Sequence, residues 1–175
     1  MSIPLDEHQR DIWFMKLALE QADIARANGE VPVGAVLVYQ NAVIATGSNA
    51  PILMNDPSAH AEMRALRSAG QILQNYRMPG CELYVTLEPC AMCAGAIMHA
   101  RLERLVFAAP DPKTGVAGSV LNLFDLPTLN HHTRVVGGVL QEEAASQLRR
   151  FFADRRAATK AARAEAQGKM SDIKG

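Results

Sequence analysis

The stretch VTLEPCAMCAG, Val85 to Gly95, constrains this chain more than any other. It sets Cys90 and Cys93 three residues apart behind Pro89, in a chain whose other cysteine is Cys81. Proline suits the first turn of a helix, where the N–H it lacks would have no partner. Side chains three apart then share a helix face, so both sulfurs can reach one point. A helix N-terminus also favours thiolate over thiol. Such a pair fits a metal site, a redox dithiol or two small buried side chains, and the spacing alone leaves all three open.

The rest of the chain sets the context. It has 175 residues, 49% of them hydrophobic, which suits one domain with a substantial core. Three cysteines are too few for a disulfide scaffold and imply a reducing, cytoplasmic setting. The opening MSIPLDEHQRD has neither the basic nor the apolar part of a signal peptide. Residues 31–55 carry no charge, but Pro32, Gln40-Asn41 and Pro51 interrupt them, so they read as two strands and a turn, with no membrane span.

Net charge is zero but unevenly spread. Residues 1–148 hold 10 basic and 15 acidic side chains, and residues 149–175 hold 8 and 3. A basic segment that begins with Phe151-Phe152 suits nucleic acid; taken alone, a solvated terminal helix is the simpler reading.

Apolar periodicity predicts a helix over 7–27, with Ile12, Met15, Leu19 and Ala22 on one face and Gly29 beyond its end. A hairpin follows, 33–39 and 43–46, around Gln40-Asn41. Residues 49–57 read as a loop and 59–69 as a helix stopped by Gly70. Strand 82–86, helix 90–100 and strand 105–108 form a βαβ unit, so those two strands should be parallel. A short strand at 134–136 and a long helix over 142–166 complete one α/β domain, residues 1–166, a mixed sheet with helices on both faces. Residues 167–175 are expected to be a disordered tail.

A catalytic zinc needs a third protein ligand and keeps its fourth position for water. His60, in DPSAHAEMRAL, opens the other strongly predicted helix, and Glu62 follows two residues later. Alone, His60 could be a satisfied core histidine and Glu62 a carboxylate complementing the helix dipole. Helical side chains lean toward the N-terminus, so groups in two first turns can converge just beyond two helix ends. On that reading His60, Glu62, Cys90 and Cys93 meet.

H-A-E followed by P-C-A-M-C is the H-x-E…P-C-x-x-C pattern of the zinc nucleobase deaminases. With E-V-P-V-G-A-V (30–36), G-S-N-A-P-I (47–52), D-P-S-A-H-A-E (56–62), N-Y-R (75–77), D-P-K-T-G-V-A-G-S (111–119) and F-F (151–152), the chain closely resembles the bacterial tRNA-specific adenosine deaminases of the cytidine/deoxycytidylate deaminase superfamily, over roughly residues 10–160. The zinc pattern is shared with cytidine and guanine deaminases; the flanking motifs point to the tRNA enzymes.

The resemblance implies a cytidine-deaminase-like three-layer α/β/α fold with a mixed, roughly five-stranded sheet. It implies one zinc ion per subunit on His60, Cys90 and Cys93, with Glu62 as the proton-transferring residue. The implied reaction is hydrolysis of adenosine to inosine at the wobble position of a tRNA anticodon stem-loop. Asn49 would hydrogen-bond the base, and Val31 and Val33 would wall its pocket. Asp111 and Lys113 would meet flanking nucleotides, and Phe152, Arg155 and Arg156 the RNA backbone. The family also implies a homodimer, with 94–102 suited to an interface. Pro110 departs from the family pattern as a residue that donates no N–H, and it weakens the assignment of Asp111. The rival readings are a cytosine or guanine deaminase acting on free bases or nucleosides, a zinc-stabilised RNA-binding module without catalysis, and a thiol redox protein. A structural zinc would need a fourth ligand, which the sequence does not offer.

Overall fold

Successive side chains of a strand point to opposite faces of its sheet, and the central strands of this chain are apolar on both. In β1 (Gly34–Tyr39), Ala35 and Leu37 face one way and Val36 and Val38 the other, all buried. In β3 (Cys81–Leu87), Leu83 and Val85 oppose Tyr84; in β4 (Arg104–Ala109), Leu105 and Phe107 oppose Val106 and Ala108. A sheet greasy on both sides needs helices on both, and it has them.

The computed structural model describes residues 6–172, and among these five strands form one sheet in the order β2-β1-β3-β4-β5, with β2 at Ala42–Ser48 and β5 at Arg134–Gly137. β1 is antiparallel to β2 and β3, while β3, β4 and β5 run parallel. Helices α1 (Glu7–Ala27) and α5 (Gln141–Asp172) cover one face, through Phe14, Met15, Ala18 and Ala144. Helices α3 (Ala61–Leu73) and α4 (Ala91–Ala100) cover the other, through Ala61, Ala65, Ala94 and Ile97; a short α2 (Pro51–Met54) precedes them. The expected three-layer fold, mixed sheet and βαβ unit are therefore present. So is the hairpin turn: Gln40 and Asn41 both take positive φ, 49° and 61°, as a two-residue turn requires.

Several boundaries differ from the sequence reading. α3 runs through Gly70 to Leu73 and ends at Gln74 in a left-handed conformation (φ 51°), because one helical glycine costs only ~1 kcal/mol. The loop expected over 49–57 holds α2, with Pro51 at its start. α1 buries Asp11, Phe14, Ala18 and Ala25 beside Met15 and Ala22, whereas Ile12 and Leu19 sit half-buried at the margin. The final helix continues past Ala166 to Asp172; the remainder of the expected disordered tail, 173–175, lies outside the described residues.

The sheet order explains which loops meet. β1 is antiparallel to β3, so the start of β1 lies beside the end of β3, and the end of β2 pairs with the start of β1 (Gly34 opposite Ser48). Val31, Val33, Asn49 and Leu87, far apart in sequence, thus gather at one end of the sheet. That end is where β3 and β4 deliver their carboxyl ends, the usual binding side of a parallel array.

Candidate active site

His60 and Cys90 occupy equivalent positions. Each is the extended residue immediately before a helix, with φ −69° and ψ 155° for His60 before α3, and φ −78° and ψ 173° for Cys90 before α4. The sequence reading placed both inside the first turn, and Pro89 with them. The helix instead begins at Ala91, leaving Pro89 and Cys90 outside it. An N-cap residue keeps its side chain free to reach beyond the helix end, which is what a ligand there requires. Cys93 follows in the first turn of α4 and is buried.

The three side chains converge. The sulfurs of Cys90 and Cys93 lie 3.8 Å apart, and His60 Nδ1 lies 3.8 Å from Cys90 Sγ and 3.6 Å from Cys93 Sγ. Sulfur and nitrogen ligands bound tetrahedrally to zinc at ~2.3 and ~2.0–2.1 Å stand ~3.6–3.8 Å from one another. The triangle therefore fits zinc, and among the described residues His60, Cys90 and Cys93 form a group that could hold a metal ion. The protonation pattern fits too. A hydrogen bond from Cys93, helped by His60, pulls the Cys90 thiol down to about 3. The same bond and burial push Cys93 up, and the bond to Cys90 raises His60. A cation replaces the protons that such a cluster shares.

Glu62 is buried, two residues into α3, and is not one of the three metal-capable side chains. Burial pushes its carboxyl up to about 6, with its backbone N–H and His60 pulling the other way. A strongly shifted carboxyl in a cleft is a mark of functional sites.

His60, Glu62 and Cys90 open into a cavity of about 210 Å³. Val31, Val33, Asn49, Leu87, Glu88, Asp111 and Thr114 line the rest of it. This is smaller than the ~300–1,000 Å³ pockets of whole drug-sized ligands and suits one planar ring system. Asn49 is held by its backbone N–H on Val33 O (2.9 Å). Arg64 of α3 ties down the preceding residue, bonding the Ser48 carbonyl and its hydroxyl.

Of the residues singled out in the sequence, Val31, Val33, Asn49, His60, Glu62, Cys90 and Asp111 border this one cavity, with Cys93 buried behind it. Asp111 spends its carboxylate on its own turn, accepting from the N–H of Lys113 (2.9 Å) and from the N–H and hydroxyl of Thr114. Lys113 is exposed and does not line the cavity. Phe152, Arg155 and Arg156 line a separate open groove of about 580 Å³ on α5, with Thr159, Lys160 and Arg163. Leu87, Glu88 and Thr114 were missed. Glu88 stood inside the most informative motif, but a lone acid between Leu87 and Pro89 gives no local sign that both its oxygens will be enclosed. Burial opposes its charge, yet bonds from the Ser119 hydroxyl and from the N–H groups of Asp111, Ser119 and Ala117 hold its pKa below the ordinary value.

Comparison with known proteins agrees with this geometry. The family model described as the cytidine and deoxycytidylate deaminase zinc-binding region matches residues 8–109. The tRNA-specific adenosine deaminase of Haemophilus influenzae is 53% identical over 143 residues, covering 81% of this chain and 83% of that protein. The tRNA-specific adenosine deaminase of Bacillus subtilis is 45% identical over 154 residues, covering 88% and 96%. A solved structure from a study of A-to-I editing by tRNA:A34 deaminases at the wobble position of transfer RNA superposes with a TM-score of 0.75 at 46% identity, over 78% of this chain and 99% of that one. This chain belongs to the cytidine and deoxycytidylate deaminase family and, within it, to the tRNA-specific adenosine deaminases.

Proposed function

We propose that this chain hydrolyses adenosine to inosine at the wobble position of a tRNA anticodon loop, with one zinc ion per subunit on His60, Cys90 and Cys93. The observation that carries the reading is the ligand triangle opening, with buried Glu62, into a base-sized cavity that Asn49 also lines. Zinc bound there supplies a Lewis acid that makes water a nucleophile near neutral pH. Glu62 takes a proton from the attacking water and gives it to N1 of adenine as the C6–O bond forms. It then takes the proton of the new C6 hydroxyl and passes it to the amino group, so that the C6–N bond breaks, ammonia leaves and the C6 carbonyl of inosine forms. Asn49 hydrogen-bonds the base, and Val31 and Val33 hold its faces.

A cavity sunk between two helix ends does not admit a stacked base, so the target must be splayed out, and a hairpin loop makes that cheapest. Lys113 and the turn capped by Asp111 meet the neighbouring nucleotides. Phe152, Arg155 and Arg156 bind the RNA backbone from α5. We infer further that the enzyme is a homodimer acting in the cytoplasm with its tRNA. The support is the end of α4, where Met98, His99 and Arg101 border a cleft with Tyr76 in the mixed apolar and polar chemistry of a subunit contact. Among the described residues no helix is long and apolar enough to cross a membrane.

The test uses three RNAs: an anticodon stem-loop with adenine at the wobble position, the same loop closed into a duplex, and a loop with cytosine there. Inosine should form in the first alone. Equal turnover of the duplex, or turnover of cytosine alone, would overturn the reading.

A further inference from the structure

The segment from Asp111 to Ser119 contains neither helix nor strand, apart from one isolated bridge between Ala117 and Asn122. Yet Asp111 and Thr114 form part of the cavity wall. A stretch of this kind holds a defined shape only if something outside it supplies bonds for its backbone.

Bonds to Pro89, Leu121 and Leu123 supply part of this, and one side chain supplies the largest share. Glu88 is 2% exposed, and its carboxylate is surrounded by the segment. One oxygen accepts from the N–H groups of Ala117 (2.8 Å) and Ser119 (3.0 Å). The other accepts from the N–H of Asp111 (2.9 Å) and from the Ser119 hydroxyl. Four donors fill the accepting capacity of a carboxylate, and none of them is a lysine or arginine. The negative charge is balanced by backbone N–H dipoles, in the manner of an anion-binding nest. Two backbone bonds frame the contact: Glu88 N–H to Ala109 O (2.8 Å) and Val116 N–H to Pro89 O (3.0 Å).

Gly115 supplies an independent observation. A Cβ there would lie 2.4 Å from both Cδ and Oε2 of Glu88 and 2.6 Å from Asp111 O. Its backbone is not in the left-handed region, so the missing side chain serves space and not conformation. The carboxylate occupies the volume that any other residue at 115 would claim.

We propose that Glu88 is a positioning residue of the deamination site: its carboxylate gathers residues 111–119 and sets them as the cavity wall that receives the substrate RNA. This rests on the reading of the cavity as the base pocket. Glu88 does not act on the reacting atoms. It places Asp111 and Thr114, while the chain continues through Pro89 to Cys90 and so joins this wall to the metal end. A carboxylate is required because an amide offers one accepting oxygen and turns an NH₂ group toward N–H donors.

The test compares the zinc-loaded wild type with Glu88→Gln, Gly115→Ala and the double variant. Glu88→Gln keeps the shape and removes the charge. Gly115→Ala keeps the charge and evicts the carboxylate, and it decides the matter should Glu88→Gln fail to fold. Zinc content, kcat and KM on the stem-loop, and amide hydrogen exchange over 111–119 are measured. Zinc should stay stoichiometric. A wall displaced by an ångström should raise KM about 10–100-fold while kcat stays within about threefold. Exchange should quicken at Asp111, Ala117 and Ser119. The double variant should be no worse than the worse single, because both act on one interaction. Unchanged exchange at those amides, unchanged KM, additive losses or loss of zinc would each overturn the proposal. Wild type inactive on the stem-loop would instead strike at the activity itself, and the exchange data would still decide the loop contact.

Discussion

Gly47 of β2 lies backbone to backbone against Ala61 of α3: a Cβ on Gly47 would stand 2.1 Å from the Ala61 carbonyl oxygen and 2.8 Å from Ala65 N. Ala61 sits between His60 and Glu62. The closeness of this helix to the sheet therefore sets the depth at which His60 and Glu62 enter the cavity. Small residues at Ala61, Ala65 and Ala69 allow the approach, and all three are fully buried.

Gly47→Ala should damage the site from behind without touching it. The helix must lift or tilt, and overpacking of this kind costs about 1–3 kcal/mol. Lower zinc occupancy together with a lower melting temperature is the expected result. Calorimetry paired with metal analysis checks it; full zinc retention at wild-type stability would show that the helix start is not set by this close approach.

Glu62→Ala should keep the zinc and lose the chemistry, since Glu62 lies outside the ligand triangle. Loss of general acid–base transfer predicts a fall of about 10²–10⁴ in kcat. His60→Ala and Cys93→Ala should instead lose metal and, with it, fold stability. Metal content set beside inosine formation separates the two classes, and zinc loss in Glu62→Ala would make Glu62 a ligand.

On α5, residues 152–164 are exposed and rich in arginine, whereas Phe151 is buried and stacks edge-on with Phe152 at 5.4 Å. A cut at Arg149 would remove a core side chain along with the charges. Replacing Arg155, Arg156, Lys160 and Arg163 by glutamine is the cleaner test. For every phosphate that the variant no longer neutralises, the slope of log K against log salt should fall by about 0.7–0.9. Binding titrations over a salt series measure it, and an unchanged slope would return this helix to the role of a solvated face.

Asp11→Ala should destabilise the fold far from the site. Arg104 is 2% exposed and meets Asp11 through two bonds, Nη1 to Oδ1 at 2.6 Å and Nη2 to Oδ2 at 2.5 Å, with Glu82, Tyr84 and Glu7 also bonded to it. Removing Asp11 leaves Arg104 with Glu82 at 3.0 Å and Glu7 at 3.3 Å but strips its two shortest bonds, at about 1.5–3 kcal/mol. Urea unfolding should show that loss while the folded fraction keeps its zinc. A change below about 1 kcal/mol, the scale of surface pairs, would mean that water reaches the network.

The candidate site was legible in the sequence, because the metal-capable side chains and the buried acid beside them sit in two short motifs whose spacing is local: His60 with Glu62, and Cys90 with Cys93. The hairpin at Gln40-Asn41 and the βαβ order were legible for the same reason, since turn residues and periodicity act within a few positions. Both ends of α1, Glu7–Ala27, were legible too, but the end of α3 and the start of α4 were not. Gly70 and Pro89 are ambiguous signals until packing and capping decide between them. Tertiary structure alone decided what long-range hydrogen bonds and close approaches decide: that Glu88 would be enclosed by 111–119, that Gly115 would stay bare to admit it, that Gly47 would seat α3, and that Arg104 would be buried beside Asp11. Each joins residues well separated along the chain, and each depends on the strand order β2-β1-β3-β4-β5, which no local pattern encodes.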